Sequence, residues 1–387
     1  MRNQRKNKSM VRFIPIVMLM AMLLISCDNL VVNGDENRPV QSVINEDKVH
    51  LSVDGLSRFS VKSGESIQLV LDIAGPNSVI HIEPGVYSEG FTVNHPNVRI
   101  TGRKGPNDEK VIIENPGGVN HGINVRPGAN NFSLSHVEVR GFDRNGVFLI
   151  DVDGFDIRHV VTTDNGEYGI YPVRSVNGSV SHSVASGHAD AGFYVGQASD
   201  IKLSHNSAYG NVIGIEVSNS DDILVSHNKT YNNSAGILAA LLPGRMINQA
   251  NRIVLTQNEV WDNNLPNFAE EGLATGVPSG SGILAIGIDH SVIDNNTVKG
   301  NDFLGIALAS SLVLGQLAGL PEELFSDIEP YPDYVRIVKN NVTENGLNPP
   351  DLPFPGVDLL WDGSGLENCW EKNRFESSAP LHLPDCN

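Results

Sequence analysis

Basic residues are scarce in this chain: 27 lysines and arginines stand against 45 aspartates and glutamates, a net charge of −18. A surface of that sign repels nucleic acid and anionic lipid headgroups, so a polynucleotide partner is excluded. Aromatic residues make up only 6%, whereas Gly, Asn, Ser, Val and Ile recur throughout. That balance favours short strands and turns and argues against a helical bundle. Charged residues are few as well, 19% against 40% hydrophobic, which rules out disorder of the whole chain. No apolar run reaches the ~20 residues of a membrane-spanning helix.

The one long apolar run sits at the start. Arg2, Arg5, Lys6, Lys8 and Arg12 form a basic beginning, and the hydrophobic stretch that follows ends in Leu24-Ile25-Ser26-Cys27. Residues 1–26 read as a secretory signal, and the four residues resemble the lipobox of bacterial lipoproteins. The resemblance implies a lipidated Cys27 and a chain held in the cell envelope, extracytoplasmic, with the membrane reached only through that lipid. Loss of the five basic residues and no acidic ones would take the net charge to −23. Residues 27–50 are polar and aperiodic and read as a flexible tether. Of the remaining cysteines, Cys369 and Cys386 would pair in an oxidising compartment, stapling the C-terminal end by about 3 kcal/mol. Past the signal a single methionine remains, Met246.

Residues 51–387 are organised by a repeat. Gly followed by an aliphatic residue or Phe recurs at Gly122-Ile123, Gly146-Val147, Gly169-Ile170, Gly192-Phe193, Gly214-Ile215, Gly236-Ile237, Gly282-Ile283 and Gly305-Ile306. Most intervals are 22 to 24 residues. Out of phase with it run period-two stretches such as Phe132-Ser-Leu134, Ile201-Lys-Leu203 and Ile223-Leu-Val225. A unit of that size cannot bury its own apolar face, but coils stacked at ~4.8 Å can bury each other's. Glycine before each inward residue suits a positive φ or a close approach of the chain. An Asn column, Asn206, Asn228, Asn258, Asn296 and Asn340, suits a corner where amides stack and a left-handed backbone is needed.

The pattern I-x-I-x-x-N-x-x-x-x-N-x-x-x-G-I resembles the right-handed parallel β-helix repeat of pectate-lyase-like and NosD-like periplasmic proteins. Segments such as Asp190-Ala-Gly-Phe-Tyr-Val-Gly-Gln197 look most like "parallel β-helix repeat" lipoproteins. Gly85-Val-Tyr-Ser-Glu89 and a helix near residues 67–73 resemble that superfamily's first coil and its cap. The resemblance implies an all-β, single-stranded parallel β-helix solenoid, and it supplies no catalytic residues. The Asp-Pro-His-Asp motif of mannuronan epimerases is missing, and Asp289-His290, a dipeptide also found in pectate lyases, carries little information.

If Ile170, Phe193 and Ile215 point inward, then Phe148, Tyr171, Tyr194 and Glu216 point outward on successive coils. Asp143, Asp164, Glu167, His188 and Asp190 lie beside them on the preceding turns, with Arg174 and Gln197 just after. Stacked rings flanked by carboxylates, an Arg and a His suit a sugar-binding groove. Phe148, Tyr171, Tyr194, Gln197 and Glu216 are therefore candidates for carbohydrate binding. Tyr171, Arg174, His188, Asp190, Tyr194 and Glu216 are candidates for lyase- or epimerase-type proton transfer. The same rings would equally serve to stabilise a sheet face through cross-coil pairs. No cofactor is required, although calcium is the expected bridge if the polymer is anionic.

His136, His159, His182, His205 and His227 share one repeat position. Metal ligation is one reading of them; the favoured one is a neutral, hydrogen-bonded stack at or inside a corner. A soft Cu(I) site lacks its thiol and thioether ligands. Three segments interrupt the repeat: 239–252 and 309–334, leaving at one corner, and 265–281, leaving at the opposite one. They are either binding loops or a packed flap over the C-terminal coils. The leading function is binding of an extended carbohydrate, with lyase- or epimerase-type processing as its extension. The alternatives are a scaffold docking other envelope proteins through 239–252 and 309–334, or a NosD-like metal-related protein.

Overall fold

The computed structural model describes residues 50–51, 56–270 and 272–386. The expected signal, the Cys27 anchor and nearly all of the tether lie outside the described residues. Three sheets of 13, 10 and 11 strands, here called one, two and three, run along the solenoid. Each coil crosses them in that order, as in Val176–Ser181, Val184–Ser186 and Ala191–Gly196. Among the described residues every pairing is parallel except His50–Leu51 with Ser57–Val61. The chain is an all-β parallel β-helix, as its repeat predicts.

Register turns periodicity into columns. Ile170 pairs with Phe193, Phe193 with Ile215, and Ile215 with Ile237, and all four are buried in one continuous core. Each such side chain contributes about 1.5–3 kcal/mol by leaving water. The preceding glycines serve close approach, not a left-handed backbone. A Cβ at Gly146, Gly214 or Gly236 would lie 2.7, 2.6 or 2.7 Å from the carbonyl oxygen of the glycine on the next coil. None of the three has a positive φ.

Asparagine amides seal the corners on both sides of sheet two. In the first ladder each Nδ2 donates to the next Oδ1, from Asn206 through Asn228, Asn258, Asn296 and Asn340 to Asn373, at 3.0–3.1 Å. A second ladder runs through Asn211, Asn233, Asn263, Asn301 and Asn345 to Asp358. Each Oδ1 also accepts a backbone N–H of the coil below, as Asn228 does from Asn206 and Asn233 from Asn211. Buried corner polar groups are thereby satisfied, which the low-dielectric interior demands.

The left-handed conformation belongs to the residue before the first ladder, not to the ladder itself. His205, His227 and Gln257 have φ of 58°, 56° and 56°. This corrects the reading of the histidine column. Its five members occupy that left-handed position, where the side chain turns out of the corner, and all five are exposed. Their rings stack at centroid spacings of 4.8–5.2 Å. The column is an exposed π stack rather than an internal hydrogen-bonded one. Among the described residues no group of three or more His, Cys, Asp or Glu is arranged to hold a metal ion.

Helix α1 (Ile67–Ala74) closes the N-terminal end, burying Ile67 and Leu71, with Ser66 as its N-cap. Glu89 accepts from the Ile67 N–H at 2.6 Å and from the Ser66 hydroxyl at 2.9 Å, so this first-coil motif is structural. Cys369 and Cys386 form a disulfide.

The three inserted segments converge on the outer face of sheet three. Residues 241–252 and 310–334 leave at its far edge and 265–280 at its near edge, joined there by 346–356. Helix α2 (Ser311–Leu317) lies over Leu284, Ala307 and Leu360, and these residues share a second apolar cluster with Leu314, Ala274 and Val277. The Ser311 hydroxyl donates to Leu241 O at 2.6 Å, which locks two of the segments together. The leucines of 309–334 thus form a packed flap.

Candidate functional site

The flap stops short, and where it stops the outer column of sheet three changes character. Read from the N-terminal end in Cα register, the column runs Thr92, Asn124, Phe148, Tyr171, and further on Tyr194, Glu216, Leu238, Leu284. A second column beside it holds His121, Asn145 and Tyr168. Simple alternation misses this second column. The inward glycine followed by an inward aliphatic places two consecutive residues inside, so the residue before the glycine emerges on the outer face. A signal was present in the sequence: a polar or aromatic residue immediately before Gly122, Gly146 and Gly169.

The two columns make one aromatic cluster across four coils. His121 stacks on Phe148 at 4.8 Å, Phe148 meets Tyr171 at 5.3 Å, and Tyr171 meets Tyr194 edge-on at 4.6 Å. Tyr168 packs on both Tyr171 and Tyr194, at 4.5 and 4.9 Å. Tyr194 is buried, its ring folded over Gly196, with its hydroxyl 2.6 Å from that of Ser218. Phe148, Tyr168 and Tyr171 remain half-buried.

Two carboxyls stand at the boundary with the flap. Burial pushes Asp190 up to about 7, against the opposing hydrogen bond from the Tyr168 hydroxyl at 2.8 Å. Burial also raises Glu216 well above the carboxylate range, and the neighbouring Asp190 raises it further. Taking charge out of water without full compensation favours the protonated form, so the pair holds a proton near neutral pH and titrates as a unit. Three buried acceptors in this region have no hydrogen-bond partner: Asn124 Oδ1, Asn145 Oδ1 and Asp190 Oδ1.

The cationic groups differ from those expected. Arg174 sits at a corner with φ of 48° and binds Asp151 bidentately at 2.8 and 2.9 Å. His188 is fully buried and faces inward, because it takes an asparagine's place in the second ladder. Its Nδ1 accepts from the Asn165 backbone N–H at 3.2 Å, and its backbone N–H donates to Asn211 Oδ1 at 3.0 Å. Burial holds its pKa at about 4, hence neutral. Arg144 and Arg245 take the cationic role instead. Arg144 pairs with Glu167 at 2.8 Å. Arg245 lies near enough to oppose the rise at Asp190 and Glu216.

Arg245 reaches this position because segment 241–252 folds back over the earlier coils. Gln197 Oε1 accepts from the Met246 N–H at 2.9 Å, and Asn219 Nδ2 donates to Leu242 O and Ile247 O at 2.8 and 2.7 Å. Asp327 of the flap accepts from the Gly244 N–H at 2.9 Å. Gln197 is therefore committed to holding the loop. His121 supplies the imidazole that His188 does not. Asn145 Nδ2 donates to its Nδ1 at 3.1 Å, and burial, with Arg144 and Arg126 adding to it, holds the ring at about 4 and neutral.

The sequence model described as "Right handed beta helix region" matches residues 121–264, the stretch that contains the cluster. No curated protein matches the chain in sequence. Solved structures share the fold. The mannuronan C-5 epimerase AlgE4 A-module of Azotobacter vinelandii is 17% identical with a TM-score of 0.55, covering 83% of this chain and 94% of that one. The AlgE6 A-module of the same organism is 16% identical at a TM-score of 0.57, covering 81% and 92%. A mutant DFA-IIIase from Arthrobacter chlorophenolicus A6 in complex with DFA-III is 12% identical at 0.51, covering 81% and 80%. The fold is thus the right-handed parallel β-helix.

Proposed function

We propose that the chain binds an extended carbohydrate along the open half of sheet three, from His121 to Glu216. One observation carries the reading: three buried acceptors on Asn124, Asn145 and Asp190 lack partners beside four clustered rings. Sugar hydroxyls would donate to those acceptors while the rings take the apolar faces of the pyranoses. The solved structures that share the fold carry names of carbohydrate enzymes, which agrees with this reading. Arg144 and Arg245 suit a polymer with some negative charge, and calcium would bridge an anionic polymer to the acidic surface around them. In the same proposal Asp190 and Glu216 are the proton-holding pair for lyase- or epimerase-type chemistry, and Cys27 anchors the chain to the envelope. A glycan array on wild type and on the Tyr171→Ala/Tyr194→Ala variant tests the binding: sugar captured by the wild type alone is expected, and capture by neither protein overturns it. New unsaturated uronate ends, followed by absorbance, would report lyase chemistry, and Glu216→Gln should abolish them.

A further inference from the structure

A separate set of rings stands on the outer side of sheet two. Tyr209, Tyr231 and Trp261 occupy one register position on three successive coils. They stack nearly parallel, with centroids 5.2 and 4.7 Å apart and planes inclined by 18° and 9°. The ladder ends at Trp261, because the next residues in register are Lys299 and Thr343. The far side of the indole therefore meets a flexible lysine instead of another ring. A hollow of about 530 Å³ opens there, lined by Glu259, Trp261, Asp262, Thr297, Lys299 and Glu344, with Gly300.

Two features of the backbone and its polar groups bear on this hollow. Gly300 has φ of 65°, and a Cβ there would collide with the Asp262 carboxylate, so a larger residue would both strain the chain and fill the space. The polar lining is three carboxylates to one ammonium, and among the described residues neither Lys299 nor Glu344 forms an ion pair. Such a lining repels uronates. It suits hydroxyl donors on an uncharged ring, with Trp261 supplying the apolar contact and the two tyrosines behind it fixing the indole plane.

We infer that this hollow is a second carbohydrate subsite, selective for neutral hexose units and independent of the groove on sheet three. Trp261 is also its reporter, since Trp361 and Trp370 pack on each other at 5.5 Å elsewhere. The test titrates the whole chain with cellohexaose, maltohexaose and mannohexaose, with oligomannuronate as the anionic control, and follows tryptophan emission. At least one neutral hexaose should shift the emission saturably and oligomannuronate should not. Trp261→Ala should abolish the shift, and Glu344→Gln should weaken binding about tenfold, or ~1.4 kcal/mol. Tyr171→Ala should leave it unchanged, which separates this site from the proposed groove. Should Trp261→Ala fail to fold, Glu344→Gln and Lys299→Ala read the same site. The proposal falls if no neutral hexaose alters the emission, if binding persists undiminished in the lining variants, or if Tyr171→Ala removes it.

Discussion

The outer face of sheet three has two halves that share one backbone and differ in what covers them. In the C-terminal half the register column presents Leu238, Leu284, Ala307 and Leu360, and three inserted segments fold over it. In the N-terminal half the same column presents Asn124, Phe148, Tyr171, Tyr194 and Glu216, and the connections within those coils stay short, the longest being residues 103–110. An aliphatic column left in water forfeits about 25 cal/mol per Å², so those coils require a cover. Rings with polar neighbours tolerate water and remain available. The cover also serves the open half, since its front edge delivers Arg245.

The comparison is broken most severely from the covered side. Leu284→Ala should cost about 2–5 kcal/mol in urea unfolding, because the residue is enclosed by sheet and flap. The half-buried Phe148→Ala should cost visibly less; equal losses would show the two faces to be equally packed.

A second effect is the pH dependence of the boundary. Asp190 has a folded pKa raised to about 7, so the stability associated with its protonated form is complete below the ordinary carboxylate range and is lost as pH rises through about 7. His188 acts with the opposite sign: its folded pKa of about 4 lies below the ordinary imidazole value, so its contribution is present above about 6.5 and lost as pH falls through 4. Asp190→Asn isolates the first term. The variant should gain on wild type, by about 1–3 kcal/mol, between pH 4 and pH 8, and a parallel pair of stability curves would contradict the buried-carboxyl reading.

On the open side Tyr171→Ala should weaken sugar binding about tenfold, ~1.4 kcal/mol, while far-ultraviolet dichroism stays unchanged. Smallest of all is His159→Gln. An exposed stacked ring contributes little, so the melting curve should move by no more than about 0.5 kcal/mol; a larger loss would mark the histidine stack as structural.

Much of the architecture was legible because every coil repeats the same short-range demand. Ile170, Phe193 and Ile215 line up inward because each can bury its side chain only on the same position of the next coil. The candidate site was legible in part. Tyr171, Tyr194, Asp190 and Glu216 come together in the cluster, whereas Tyr168, His121 and Asn145 escaped a strict two-residue alternation that the glycine interrupts. His188 was misplaced for a related reason: its position in the second ladder belongs to the corner period, not to the strand period. Arg174 and Gln197 do share the site's edge, but Asp151 and the Met246 N–H already engage them.

From sequence alone came the coil, its stacking period, the inward aliphatic columns and the first asparagine column, because each is a contact between residues one repeat apart. The tertiary structure alone decided which half of sheet three is covered and which arginine faces the tyrosines. Both depend on segments 241–252 and 310–334 folding back across coils, pinned by Asn219, Gln197 and Asp327. Contacts of that kind follow no period, and they form only once the rigid sheet beneath them exists.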